Sequence, residues 1–239
     1  MSHARLDCIF AQNMKKYLVL GVLFILPITV YVFFGSGVYN FNTLPVLTST
    51  VSTPIHFKTA EGDSVFFKNK ISVLGFLGKE VEANKAYAFN LAHKIYKKNH
   101  QFHDFQFLFL LPEGAEDQAQ ALTTELNRIA DTGNWVFAYG SIDDLETLFA
   151  SLDTDYVLDV NGSSPYVFII DKEGDLRGRN DDEDVGKLYG FDARDVAEIT
   201  NKMMDDVDVV LAEYRRALKK NDKYKAERKD DFRDEYLKN

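Results

Sequence analysis

The chain has 239 residues, 46% of them hydrophobic and 13% aromatic, and a formal net charge of −9. That is length and apolar content for one ordinary globular domain plus appendages, and it excludes an intrinsically disordered chain. The negative charge excludes nucleic-acid binding by phosphate neutralisation.

Residues 1–16 are expected to be a short cytoplasmic segment. Met14-Lys15-Lys16 would suit the start of a membrane-inserted stretch, so either Met1 or Met14 could be the initiator, with Met1–Asn13 an upstream extension or tail. Cys8, the only cysteine, lies in that segment. Residues 17–39 read as one transmembrane helix. Tyr17 to Phe34 is uncharged and almost wholly apolar, and continued through Tyr39 it reaches the roughly 20 residues a bilayer span needs. Pro27 is tolerated in lipid. Lys15 and Lys16 precede the run and no basic residue follows until Lys58, which puts the N-terminus in the cytoplasm and the remainder in the periplasm or outside. The rival is a cleaved signal peptide, but the run is long for one and only Ser36-Gly37-Val38 offers a cleavage site. No cysteine follows the run, which excludes a lipoprotein anchor and leaves the exported part without disulfide or thiol redox chemistry.

Residues 40–54, with Gly-, Ser- and Thr-rich neighbours and two prolines, read as a linker. An α/β pattern starts at Ile55. Ile55–Lys58 and Ser64–Phe67 flank Ala60-Glu61-Gly62-Asp63 as a hairpin. Ile71–Leu77 is a buried strand, Ala83–Lys98 a helix, Phe105–Leu111 a second strand and Ala115–Ala130 a second helix. Trp135–Tyr139 is a third strand, and Ser141-Ile142-Asp143-Asp144 resembles a capping box that opens a helix through Leu152. Tyr166–Ile170, an apolar and β-branched run, is a strand buried on both faces. Asp171-Lys172-Glu173-Gly174 turns it back, with Gly174 free to take positive φ. Pro165 stands at the strand entrance, where its missing N–H does no harm. Asp192 is expected to cap a long last helix whose buried stripe is Val196, Ile199, Met203, Val207, Val210, Leu211, Tyr214 and Leu218. Strands separated by helices imply parallel pairing, completed here by an antiparallel hairpin and a helix. From Glu213 the charge alternates densely. Residues 221–239 read as a charged tail, either solvated or docking a partner.

Few residues offer chemistry. His93 and His100 are seven apart and could share a helix face with His103 nearby, but the spacing is not i, i+4 and no Cys or Asp ligand accompanies them. They read as surface or cap histidines. Asn180-Asp181-Asp182-Glu183-Asp184 lacks the spacing of a calcium loop and reads as a solvated acidic loop. Ser163 and Ser164 have no Gly-x-Ser-x-Gly elbow. Gly75-Phe76-Leu77-Gly78 lacks the Lys-Ser/Thr of a phosphate loop. Met203 falls on the apolar stripe of its helix and reads as core, with Met204 beside it.

A proline before a buried strand, an Asp-x-x-Gly turn and a return strand resemble the closing hairpin of thioredoxin-like domains. That resemblance implies a cis Ser164–Pro165 bond. More fully, residues from about 55 to 218 resemble the Sco/SenC family of membrane-anchored, thioredoxin-like copper chaperones for cytochrome oxidase. The matching stretches are Phe57–Phe67, Ile71–Leu77, Asn134-Trp135-Val136-Phe137 and, most specifically, Tyr166–Gly178, although other thioredoxin relatives share the last. The resemblance implies a three-layer α/β/α thioredoxin-like domain over residues 55–220, with a mixed central sheet and one preceding transmembrane helix. The departures are as informative. Where the family carries Cys-x-x-x-Cys, this chain has Gly78-Lys79-Glu80-Val81-Glu82-Ala83. Where the family has a histidine ligand before the hairpin, it has Asp159-Val160-Asn161-Gly162-Ser163-Ser164. Copper(I) favours soft ligands, and Glu80 and Glu82 are hard donors.

No catalytic, cofactor-binding or metal-binding residue is therefore expected. The expected function is a non-catalytic binding or assembly factor in the cell envelope, linked through the resemblance to respiratory oxidase biogenesis, with the membrane and an envelope protein as partners and no metal. The alternatives are an atypical oxidoreductase working without a thiol, and a structural membrane protein docking a partner through its charged tail.

Overall fold

The computed structural model of the chain describes residues 19–33 and 43–219, which fall into two units. In the first, residues 19–33 are helical (α1). Among the described residues no helix is long and apolar enough to cross a membrane. Residues 17, 18 and 34–39 of the expected span lie outside the described residues, as do the N-terminal segment with Cys8 and the tail 221–239.

The second unit is a mixed α/β sheet with helices, starting at Thr43. Its strands are β1 (Val46–Thr48), β2 (Ile71–Leu77), β3 (Phe105–Pro112), β4 (Trp135–Gly140), β5 (Ser163–Ile170), β6 (Leu176–Arg177), β7 (Arg179–Asp182), β8 (Gly186–Leu188) and β9 (Phe191–Asp192). The main order is β1-β6-β5-β2-β3-β4. The β2–β3 and β3–β4 pairs are parallel, and the β2–β5, β5–β6 and β1–β6 pairs antiparallel. β9 pairs with β5 at Tyr166 and Val167, while β7 and β8 form a separate hairpin.

Pleating sends successive residues to opposite faces, and both faces are covered, so β2 and β3 are apolar almost throughout. Ile71, Val73, Phe105, Phe107, Phe109, Val167 and Ile169 face one layer of core. Three helices close it: α2 (Val81–Leu91, continued by a π-helical turn Ala92–Tyr96 and Lys97–Asn99), α3 (Glu116–Leu126), and α5, which opens at Val196–Glu198, passes through a π-helical turn Ile199–Met203 and runs on to residue 219. Leu74, Phe76, Leu108, Leu110, Phe168 and Ile170 face the other layer, closed by α4 (Ile142–Ala150) and by Val51, Phe57, Val65 and Phe67. Trp135 stacks on Phe107 and Phe109 with ring centroids 4.7 and 5.3 Å apart, which fixes β4 over its parallel neighbour. Asn134 before it donates from its side chain to the His100 carbonyl, and its backbone N–H donates to the Tyr96 hydroxyl.

Several expectations need correction. Residues 43–54 are part of the folded unit: β1 pairs with β6, and Leu44 and Val51 are buried. The hairpin expected at 55–67 is reduced to a single bridge, Lys58 to Ser64, because Lys58 also bridges Tyr139 and so covers the outer edge of β4. The last helix is capped by Asp195, whose carboxylate accepts from the Ala197 and Glu198 N–H groups. Asp192 is drawn off into β9. With that shift Val196 and Leu218 are exposed at opposite ends of α5, and the buried stripe runs from Ile199 to Tyr214. Ser141 does cap α4, accepting from the Asp144 N–H.

The Ser164–Pro165 bond, expected cis, is trans, and no cis peptide occurs among the described residues. The reason lies in the ladder. β5 begins before the proline, with Ser163 and Ser164 paired to Leu77 and Phe76 of β2, and the Pro165 carbonyl accepts from the Ala193 N–H at 2.8 Å. The strand thus runs extended through Pro165, and an irregularity between Leu74 and Phe76 absorbs the lost pairing. Gly174 has a φ of +92° in the turn that joins β5 to β6.

Candidate functional site

The candidate site lies where β2 gives way to α2 and the segment before β5 comes alongside, the place that corresponds to Gly78–Ala83 and Asp159–Ser164 of the sequence. Gly78 turns the chain with a φ of +68°. A Cβ there would stand 2.7 Å from the Ser163 Cβ and 2.8 Å from the Asn161 carbonyl oxygen, so the two segments touch through a position only glycine can fill. The Lys79 N–H donates to that same Asn161 carbonyl at 2.9 Å.

The facing segment is folded on itself by Asp159. Its carboxylate accepts from the backbone N–H groups of Asn161 and Ser163 (2.9 and 2.8 Å) and from the Ser163 hydroxyl at 2.8 Å. Its own N–H donates to the Ser163 carbonyl at 2.9 Å. Burial pushes the Asp159 carboxyl up, but the donors from Ser163 and Asn161 outweigh it and hold the group below the ordinary carboxylate range. On the other side the Asn84 amide donates to the Leu77 carbonyl at 2.9 Å. Gln118 of α3 takes the Glu82 N–H and donates to the Lys79 carbonyl, satisfying an N-terminal group of α2 that Glu80 leaves uncapped. The result is a latch of backbone and short polar side chains.

Its chemistry is limited. Ser163 donates to a carboxylate, and the Ser164 hydroxyl accepts from the Tyr166 N–H; among the described residues neither hydroxyl is bonded to a histidine or lysine. Glu82 is drawn to Lys85 at 2.5 Å. A copper(I) ion would need thiolate, thioether or imidazole donors. The donors at the latch are carboxylates, amides and hydroxyls, with Lys79 adding a positive charge, so they do not fit copper. Among the described residues no three His, Cys, Asp or Glu side chains are placed to share a metal ion.

The other sequence candidates are dispersed. His100 has Nδ1 against the Lys97 carbonyl at 3.0 Å, His103 is exposed beside Asp104, and His93 is exposed on α2. Met203 is fully buried in the core and Met204 packs against it. Within Asn180–Asp184, Asp182 is buried rather than solvated. Its carboxylate accepts from Lys202 at 2.8 Å and from the Asp184 and Val185 N–H groups. Nearby, Arg179 makes a two-pronged pair with Asp206 at 2.8 and 2.9 Å. These pairs fasten the β7–β8 hairpin to α5.

One feature beside the latch was not visible as a pair in the sequence. Tyr156 and Tyr166 stack with centroids 3.8 Å apart and planes 11° from parallel. Tyr156 donates to the Gly190 carbonyl at 3.3 Å, and burial pushes its hydroxyl up to about 12. The surface around the latch is acidic: Glu116 and Asp117 open α3, and Asp143 and Asp144 open α4, each favourable to a helix N-terminus.

No family model and no curated protein matches the sequence. Solved structures do resemble the chain in outline. A candidate electron transfer protein from Aquifex aeolicus VF5 is 16% identical, covering 69% of this chain and 92% of its own, with a TM-score of 0.49. A candidate protein disulfide isomerase from Bacteroides thetaiotaomicron is 13% identical over 74% of this chain and 98% of its own, at 0.48. The soluble domain of Sco1 from Bacillus subtilis is 12% identical over 69% and 93%, at 0.45. No functional residue is carried across from them.

Proposed function

We propose that this chain is a membrane-anchored, thioredoxin-like protein that works by binding rather than by thiol or copper chemistry, as an assembly factor in the cell envelope for a respiratory cytochrome oxidase. The observation that carries the non-catalytic reading is the latch. The position that would hold an attacking thiolate is Gly78-Lys79-Glu80, and its backbone is tied to Asn161 while Asp159 occupies the Ser163 hydroxyl. Thiol exchange needs a thiolate as nucleophile, and copper(I) transfer needs soft ligands. The anchor rests on the apolar run 17–39 and the Lys15-Lys16 flank. The oxidase link rests on the resemblance of Tyr166–Gly178 and its neighbours to the Sco/SenC family.

The test is genetic. Deleting the gene should lower cytochrome oxidase activity in isolated membranes, and both the wild type and Cys8→Ser should restore it fully. Unchanged activity in the deletion strain would remove the oxidase link. Failure of Cys8→Ser alone would restore a role for the thiol.

A further inference from the structure

A cleft of about 500 Å³ opens between the chain that follows β1, the chain that leads into β2 and the turn joining β5 to β6. It lies at the opposite end of β2 from the latch. Val51 and Phe67, both buried in the core layer closed by α4, line it together with Gly174 and with Phe66, whose ring is half exposed at 51%. Hydrogen bonds tie the walls to one another. The Val51 N–H donates to the Gly174 carbonyl at 2.9 Å, and the Thr50 N–H to the Asp175 carboxylate at 2.7 Å. The Asn69 N–H donates to the Lys172 carbonyl at 3.0 Å. Gln106, itself buried, donates from its amide to the Phe66 carbonyl at 3.0 Å and to the Ser72 hydroxyl at 2.8 Å. The cleft is therefore preformed, and its volume falls in the range of small-molecule sites, roughly 300–1,000 Å³.

Its polar side chains are free. Among the described residues the Lys68 ammonium, the Asn69 amide and the Thr50 and Thr53 hydroxyls make no hydrogen bond or ion pair. The acids close by are engaged. Asp175 accepts from Thr50, Asp171 accepts from Arg177 and from two backbone N–H groups, and Glu173 pairs with Lys172 at 3.4 Å. The backbone adds an independent observation. Three non-glycine residues among those described have positive φ, and two of them, Thr50 (+56°) and Asn69 (+65°), line this cleft. Asparagine tolerates that region, but a β-branched threonine is an outlier there, and outliers of this kind gather where ligands are held.

What is free sets the class of ligand. Lys68 is an unpaired positive charge on a chain of net charge −9. The backbone N–H groups of Thr50, Val51, Asn69, Glu173 and Gly174 all donate within the protein, so the cleft offers a phosphate neither a nest of N–H groups nor an arginine fork. One ammonium with an amide and hydroxyls beside it suits a single carboxylate, and Phe66, Val51 and Phe67 suit an apolar body. We propose that this cleft binds a small organic acid, its carboxylate on Lys68 with Asn69 and the threonine hydroxyls as neutral partners, and its apolar body against Phe66.

The experiment uses the full chain in detergent, with hydrocinnamate as the probe and the neutral hydrocinnamide as the control. A ligand of this size should bind with an affinity of about millimolar. Lysines are acetylated with limiting reagent, and modification of Lys68 and Lys97 is read by peptide mass spectrometry. Lys97 is the internal reference: it is exposed, unpaired among the described residues, and lies on α2 against the other core layer. Hydrocinnamate should slow acetylation of Lys68 several-fold and leave Lys97 unchanged, and hydrocinnamide should protect neither. Phe66→Ala should raise the acid concentration for half protection about tenfold, the worth of an apolar ring contact. No protection of Lys68, equal protection of Lys97, or equal protection by the amide overturns the proposal. So does unchanged protection in a Phe66→Ala protein that keeps the wild-type Tm. If Phe66→Ala does not fold, the comparison of acid with amide on the wild type decides alone.

Discussion

Replacing Gly78 by alanine tests the latch at its narrowest point. Two costs follow from the structure. A residue with a side chain at a φ of +68° pays the left-handed penalty, about 1–2 kcal/mol. The new methyl must also displace the Asn161 carbonyl and Ser163, backbone and Cβ atoms that cannot swing aside, and forced overpacking of this kind costs about 1–3 kcal/mol. Gly174→Ala is the matched control. Its φ is +92°, yet nothing lies within 4 Å of the added Cβ, so only the first cost applies. Loss of chain entropy in the unfolded state is common to both and cancels in the comparison. Gly78→Ala should therefore be less stable than Gly174→Ala by about 1–3 kcal/mol, or roughly 2–12 °C in Tm for a domain of this size. Urea and thermal unfolding of the two full-length variants in the same detergent, followed by tryptophan fluorescence, would measure it. Equal stability would mean that residues 78–79 and 161–163 are not in contact, and the account of a closed latch would fall.

Asp182→Asn should destabilise the domain by about 1–3 kcal/mol at neutral pH, since it removes the charged acceptor of Lys202 and two backbone N–H groups. Burial pushes the Asp182 carboxyl up, but Lys202 and those amides more than offset it and leave the group below its ordinary value. The sign follows from linkage: a depressed carboxylate contributes stability above the ordinary pKa and loses it as pH falls through the folded value. The gap between wild type and variant should thus be full at pH 7 and narrow below about pH 4, which denaturation across that range would check. If the proposed anchor is right, the Lys15-Lys16 flank predicts an active C-terminal alkaline phosphatase fusion; an inactive phosphatase fusion with an active cytoplasmic reporter would reverse the proposed topology.

The central strands and main helices were legible because their signals are local. Ile71–Leu77 and Phe105–Leu111 are apolar throughout, and the Ser141 cap and Gly174 turn are written in a few adjacent residues. What was not legible depends on residues far apart. Whether Asp192 or Asp195 caps α5 is decided by Tyr166, which draws Asp192 into a bridge. Val46–Thr48 looks like linker until Leu176 and Arg177 pair with it. The proline geometry was expected from resemblance, but the pairing of Ser163 and Ser164 with β2 sets it. At the site, the sequence itself shows that neither 78–83 nor 159–164 carries a cysteine or histidine. It did not announce that Asp159 would fold its own segment, since a single aspartate in a polar loop carries no such signal.

The property that decides between a binding protein and an oxidoreductase or copper carrier is whether the folded unit has thiol or copper chemistry. The direct measurement is a competition titration of the purified full-length Cys8→Ser protein against a high-affinity copper(I) chelator, with insulin-disulfide reduction assayed on the same sample. The latch contains no soft donor and no thiol, so the chelator should keep the copper and insulin should stay oxidised. Stoichiometric retention of copper(I) by the protein, or turnover of insulin disulfides, would contradict the account.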